Sequence, residues 1–146
     1  MSTPRRVTGP EVAAVALGGA IGATCRYGAL RISPVTPRSF PATILVVNLI
    51  ASALLGVLLA LLDDRRGALP NRPVVRAFLV AGVVGALGTL SAVAVDIARL
   101  LAEGRTGTAI GYGAVTLVAC TGALIVGLTA AGWRPAWHTM PEEDEL

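Results

Sequence analysis

Asn48, Ser52, Tyr112, Thr116 and Cys120 place hydrogen-bonding side chains in stretches that are otherwise apolar, and at regular intervals. Positions 48, 52 and 56 are four apart, so on a helix Asn48, Ser52 and Gly56 share one face, and Tyr112, Thr116 and Cys120 form a matching stripe on another. A side-chain amide buried without a partner costs on the order of a few kcal/mol, so Asn48 has to meet something. Two readings stand open: these groups glue one helix to the next, or they offer donors to something held between the helices. Neither is enzyme chemistry. The sequence shows no His/Cys/Asp cluster, no nucleophile paired with a base and no phosphate-binding loop, so no enzymatic activity is expected. The lone His138 has no second ligand, and Cys25 and Cys120 read as small packing residues.

A second constellation is "GVVGALGTLSAVAVD", Gly82 to Asp96. Glycine costs about 1 kcal/mol relative to alanine inside a helix. Here Gly82, Gly85 and Gly88 recur every three residues and are followed by Thr89 and Ser91. Such a segment invites local unwinding. Released carbonyls suit a cation, while hydroxyls and amides suit an anion. Close helix crossing through small residues is the other reading.

The elements that must position these groups follow from composition. The chain has 146 residues, 54% of them hydrophobic and 14% charged, with a mean hydropathy of +0.72. That is too apolar for a soluble domain of this size. Four apolar blocks, approximately 12–30, 41–62, 74–101 and 108–132, each approach or exceed the roughly 20 residues that span a bilayer core. The period-two alternation of a membrane barrel is missing. The expected fold is therefore all-α: one integral membrane domain of four transmembrane helices, the third broken, with a polar tail over 133–146. Gly18 and Gly22 form a GxxxG pair in the first helix, and Gly111, Gly113, Gly122 and Gly127 thin the fourth, as close helix packing requires. Small faces in such number point to an oligomer. A signal peptide, with Arg5 and Arg6 ahead of an apolar run to Cys25, is disfavoured because apolar segments continue beyond it.

With no lysine in the chain, orientation rests on arginine. Arg5, Arg6, Arg65, Arg66, Arg72, Arg76 and Arg134 fall on one side of a four-span topology, and Arg31, Arg38, Arg99 and Arg105 on the other. The bias places both termini in the cytoplasm of a multi-pass plasma-membrane protein. Trp133 and Trp137 suit the membrane interface, and "PEEDEL" is a solvated acidic tail. The net charge of +3 is spread over two sides of a membrane, which argues against nucleic-acid binding.

In order along the chain, "GGAIGATCRY", "NLIASALLG", "GVVGALGTLSAVAVD" and "GYGAVTLVAC" resemble the CrcB/Fluc family of small fluoride channels. The resemblance implies an antiparallel dimer with two fluoride pathways along its interface. It also implies one structural Na+ held by backbone carbonyls of the third-helix breaks, here those of Gly85 and Gly88. Carried over residue by residue, the fluoride pathway would include Asn48, Ser91, Thr116 and Tyr112, with Arg26 making the vestibule electropositive. A snorkelling anchor is an equal reading of Arg26. Asp96 takes the place of the family's usual glutamate, either bonded to the polar track or paired with Arg99 at i+3. Fluoride would leave passively, down its electrochemical gradient.

The family's third helix reads approximately G-G-x-T-T-F-S-T-F-S-x-x-E, and this chain departs from it. Leu90 and Val93 replace the two phenylalanines, Ala92 the second threonine of the S-T, and Gly88 a threonine. A ring edge carries partial positive charge that an anion can meet; an aliphatic group does not. Together with the arginine bias, which disfavours insertion either way up, this points to a heterodimer whose oppositely oriented partner supplies the phenylalanines. A homodimer, a non-conducting structural partner subunit and a small proton-coupled multidrug exporter are the alternatives. The last would need an acid deep in the membrane, which Glu11 and Asp96, near helix ends, do not provide.

Overall fold

The computed structural model describes residues 7–33, 39–63 and 72–133. Arg5, Arg6, Arg38, Arg65, Arg66 and Arg134, which carry most of the orientation count, lie outside the described residues, as do Trp137, His138 and the acidic tail. The described elements are helical: α1 (Gly9–Ile32), α2 (Ala42–Leu61), α3 (Pro73–Arg76), a π-helical segment (Ala77–Val84), α4 (Gly85–Leu87), α5 (Leu90–Ala102) and α6 (Thr106–Ala130). Among the described residues, four spans are long and apolar enough to cross a membrane: Gly9–Ile32, Ala42–Leu61, Pro73–Ala102 and Thr106–Ala130.

Local chemistry sets the ends. Thr8 donates its N–H and its hydroxyl to the Glu11 carboxylate, at 2.8 and 2.9 Å, and Pro10 needs no helical donor in the first turn. At the turn between α5 and α6, Gly104 adopts φ 73°, and the Arg105 N–H returns to the Leu100 carbonyl at 2.9 Å, closing α5 in the left-handed manner that glycine permits.

Two backbone seams hold the bundle. In the first, α1 packs on the π-helical segment: a Cβ on Gly18 would run into the Phe78 carbonyl, and one on Gly22 into the Val83 carbonyl. Gly82 faces Gly18 so closely that its own Cβ would lie 2.9 Å from the Gly18 Cα. In the second, α2 packs on α6, with Gly56 against the Leu124 carbonyl and Gly127 against that of Ala53. Small residues here let backbones touch, the main source of helix association where the solvent is lipid. Of the glycines expected to thin the fourth span, only Gly127 makes such an approach. A Cβ on Gly113 would lie 3.3 Å from Ile97 Cδ1, and Gly111 and Gly122 face open space.

The interruption of the third span is narrower than the glycine spacing suggested. Gly82 is π-helical and Gly85 keeps helical angles, while Gly88 (ψ 144°) and Thr89 (φ −152°, ψ 126°) are extended. The break is thus two residues long. It comes three residues after an eight-residue π-helical segment, a rare form that frequently occurs at functional sites.

Candidate functional site

Asn48 explains how the break is held. In an uninterrupted helix the Thr89 N–H would return to the Gly85 carbonyl; here it donates to Asn48 Oδ1 at 2.7 Å, and Asn48 Nδ2 donates to the Thr89 carbonyl at 3.3 Å. One side-chain amide on α2 therefore replaces the backbone partners that Thr89 lost. Gly88 is in place for a steric reason as well, since a Cβ there would sit 2.9 Å from the Ala51 Cβ and 3.4 Å from Asn48 Oδ1. Releasing Thr89 frees the Gly85 carbonyl from its usual donor, and the extended turn leaves carbonyls of the last turn of α4 outside the helical ladder.

Beside this clamp opens a cleft of about 660 Å³ between α2, the two halves of the third span and α6. Asn48, Ser52, Gly85, Gly88, Thr89 and Thr116 all line it. Thr116 is only 7% exposed, and its hydroxyl makes no well-formed hydrogen bond among the described residues, with the Tyr112 side chain one turn earlier as a neighbour. A buried hydroxyl without a partner is costly, and such a group marks where an ion or water belongs. Cys120, one turn on, lines the same wall. Leu90 and Val93 line it too; Leu90 is 81% exposed and Val93 buried, and no aromatic ring stands among the described lining residues.

The other sequence-derived residues lie around the cleft. Ser91 is exposed, and its hydroxyl lies 2.7 Å from that of Thr89. Tyr112 is buried behind the wall, its hydroxyl donating to Asp96 Oδ2 at 3.4 Å, with the Phe40 ring edge-on at 5.5 Å. Asp96 also faces Arg99, at 3.9 Å. Arg26 is half-buried on α1 and does not reach the lining. The sequence reading missed the backbone of Thr89 as the partner of Asn48, although a mid-helix Asn one span from a glycine-rich break was the available signal. It also missed Phe40 and Ser39, whose roles depend on where the connection before α2 lies.

The donors at the break suit a hard monovalent cation: neutral carbonyl oxygens, unpaired in a helical ladder and free of carboxylate. No group of three His, Cys, Asp or Glu residues capable of holding a metal occurs among the described residues.

The family model described as "CrcB-like protein, Camphor Resistance (CrcB)" matches residues 13–128 of the chain. The chain is similar to Fluoride-specific ion channel FluC 1 of Streptomyces coelicolor, 39% identical over 132 residues, covering 90% of this chain and 79% of that one. It is similar to Fluoride-specific ion channel FluC of Deinococcus radiodurans, 40% identical over 119 residues, 80% of this chain and 86% of that one. With Fluoride-specific ion channel FluC 2 of Streptomyces avermitilis it shares 42% identity over 108 residues, 74% of this chain and 66% of that relative.

Proposed function

The chain belongs to the CrcB family, and from that premise we propose that it is a fluoride channel subunit, a multi-pass membrane protein that lets F− leave the cytoplasm passively. The observation that carries this reading is a largely apolar cleft at membrane depth into which Asn48, Thr89 and Thr116 bring polar groups, the Thr116 hydroxyl buried in its wall without a well-formed hydrogen bond among the described residues. Fluoride is small and strongly hydrated, so a pathway has to offer hydrogen-bond donors in place of water. Thr116 offers its hydroxyl. Asn48 spends one N–H on Thr89 and has a second to give. Ser91, its hydroxyl 2.7 Å from that of Thr89, extends the donors at the break. Tyr112 stands behind the wall with its proton given to Asp96 and supports the pathway from there, and Arg26 makes the vestibule electropositive or anchors α1 at the interface. The names of the relatives, each a fluoride-specific ion channel, support the choice of ion.

The cleft is open on one side. Polar groups and broken backbone are tolerated at membrane depth only where protein or water covers them, so a second subunit has to close it. We take that subunit to be an oppositely oriented homologue, with a heterodimer favoured. Leu90 and Val93 leave the cleft without the ring edges the pathway would use, and a partner can supply them. Both termini of this chain would then lie in the cytoplasm. The carbonyls of Gly85 and Gly88 would hold a structural Na+ at the junction of the two subunits, where it supplies fixed positive charge; a side-chain change at position 88 does not remove a backbone ligand.

A non-conducting structural subunit is the second reading, favoured by the absence of any ring among the described lining residues. The exporter reading loses its acids: Glu11 caps α1 through Thr8, and Asp96 is engaged by Arg99 and Tyr112. Fluoride efflux from liposomes, followed with a fluoride electrode, separates these. Efflux from the mixture with a homologue that keeps the F-S-T-F residues, and from neither protein alone, supports the heterodimer. Efflux from this chain alone shows that Leu90 and Val93 suffice, and a mixture no faster than the homologue alone supports the structural subunit.

A further inference from the structure

Asp96 is a carboxylate directly behind a wall that, on the reading above, an anion has to pass. Val93 and Ile97, three residues before it and one after, line the cleft, and its partner Tyr112 precedes Thr116 by one turn of α6. Asp96 itself is 9% exposed. A carboxylate so placed is poorly screened and, left without a countercharge, would repel an anion in the cleft beside it. Its two oxygens are divided: Oδ1 faces Arg99 Nη2 at 3.9 Å, and Oδ2 accepts from the Tyr112 hydroxyl at 3.4 Å. Arg99 is itself fixed, since the same Nη2 donates to the Ser39 carbonyl at 3.3 Å, in the connection leading to α2. A second ion pair among the described residues, Arg105 with Glu103 at 3.5 Å, sits on the turn between α5 and α6 with the acid more exposed.

We infer that Arg99 is the fixed countercharge of Asp96, a positioning residue that turns a repelling carboxylate beside the cleft into a neutral pair and so permits anion passage. Arg99 touches neither the cleft nor its contents and acts through Asp96. The inference rests on the cleft being the fluoride pathway.

The test compares wild type, Arg99→Gln, Arg99→Lys, Asp96→Asn and the double variant Asp96→Asn/Arg99→Gln, each the full chain in whichever subunit composition conducts, with fluoride efflux as readout. Arg99→Gln is expected to lower flux by about tenfold or more, because it exposes the carboxylate. Arg99→Lys keeps the charge and should stay within about threefold of wild type. The double variant should come within about threefold of Asp96→Asn alone, since an arginine with no carboxylate to neutralise has little left to do. Equal losses from Arg99→Gln whether or not Asp96→Asn is also present, or no loss in either background, would overturn the inference. Should Arg99→Gln fail to give monodisperse protein, Arg99→Lys decides: a tenfold loss overturns, near-wild-type flux supports. Wild type that moves no fluoride in any composition sinks the channel reading instead, and pairing is then judged by whether Arg99→Gln lowers the melting temperature only when Asp96 is present.

Discussion

The third span is two devices joined at Gly88 and Thr89. From Pro73 to Leu87 it is apolar and held by backbone: Gly82 lies on Gly18, and carbonyls of Phe78 and Val83 fill the space that side chains on Gly18 and Gly22 would need. From Leu90 to Ala102 it is amphipathic and held by side chains: Asp96 meets Tyr112 and Arg99, and Arg99 meets Ser39. Asn48 stands between them, fastening the break to α2. Contacts between backbones admit no adjustment, whereas side-chain contacts can be altered while the helix stays in place. Changes in the first half should therefore remove the protein, and changes in the second should alter what it does.

The largest effect is expected at the first seam. Gly18→Leu drives a side chain into the Phe78 carbonyl, and overpacking of this kind costs about 1–3 kcal/mol or more even where neighbours can move. Monodisperse protein should be lost or its melting temperature in detergent sharply lowered. Gly19→Ala, one residue on and facing open space, should leave the fold intact and raise stability by up to about 1 kcal/mol. Equal tolerance of both would mean that the seam is not what holds the first half.

Asn48 is the next rung. Asn48→Leu leaves both the N–H and the carbonyl of Thr89 without their partner, at about 1–3 kcal/mol for each group left unsatisfied. Both stability and fluoride efflux should fall. Asn48→Asp keeps the acceptor for the Thr89 N–H but turns a carboxylate oxygen on the Thr89 carbonyl and buries a negative charge, so stability should fall as well while efflux drops by about tenfold or more. Unchanged efflux in Asn48→Asp, assayed with the partner, would remove Asn48 from the anion pathway and leave it only its structural task.

A smaller effect, and a cleaner division between fold and function, is expected at Thr116. Valine has nearly the same shape and lacks the hydroxyl, which makes no well-formed hydrogen bond among the described residues. Thr116→Val should leave the melting temperature unchanged or slightly raised, since a buried unsatisfied group is removed. Fluoride efflux should fall by about fivefold, the scale of one modest hydrogen bond. A lowered melting temperature with intact efflux would reverse the assignment and make Thr116 a packing residue.

How much of this was legible in the sequence depends on which physics placed each residue. Span number and class came from composition, because the cost of exposing backbone to lipid leaves helices or closed barrels as the only choices. Gly18 and Gly22 were legible as a close approach because only small residues permit one. The stripe of Asn48, Ser52 and Gly56 was legible as a face, but its three members turned out to do three things: Asn48 clamps the break, Ser52 lines the cleft and Gly56 seats α6. Spacing fixes a face and leaves its contacts open. The π-helical register of Ala77–Val84 had no signal, since residues such as Val, Leu and Phe suit either helix. Ser39 and Phe40 were likewise silent, as their contacts with Arg99 and Tyr112 span 60 and 72 positions of sequence.

The smallest expected effect tests whether the second half tolerates adjustment. Tyr112 touches Asp96 through a single long bond of 3.4 Å, while its ring is buried and packed edge-on against Phe40. Tyr112→Phe removes the first contact and keeps the second. A bond of that length to a carboxylate already faced by Arg99 should contribute less than about 1 kcal/mol, so stability should barely move. Efflux should change by less than about threefold, because the countercharge on Asp96 stays in place. Tyr112→Ala, which also empties the ring's site in the core, should by contrast cost about 3–5 kcal/mol. If Tyr112→Phe alone abolished efflux while the protein remained folded, the hydroxyl would have to meet the ion itself, and the polar wall of the pathway would extend from Thr116 through Tyr112 to the charged end of α5.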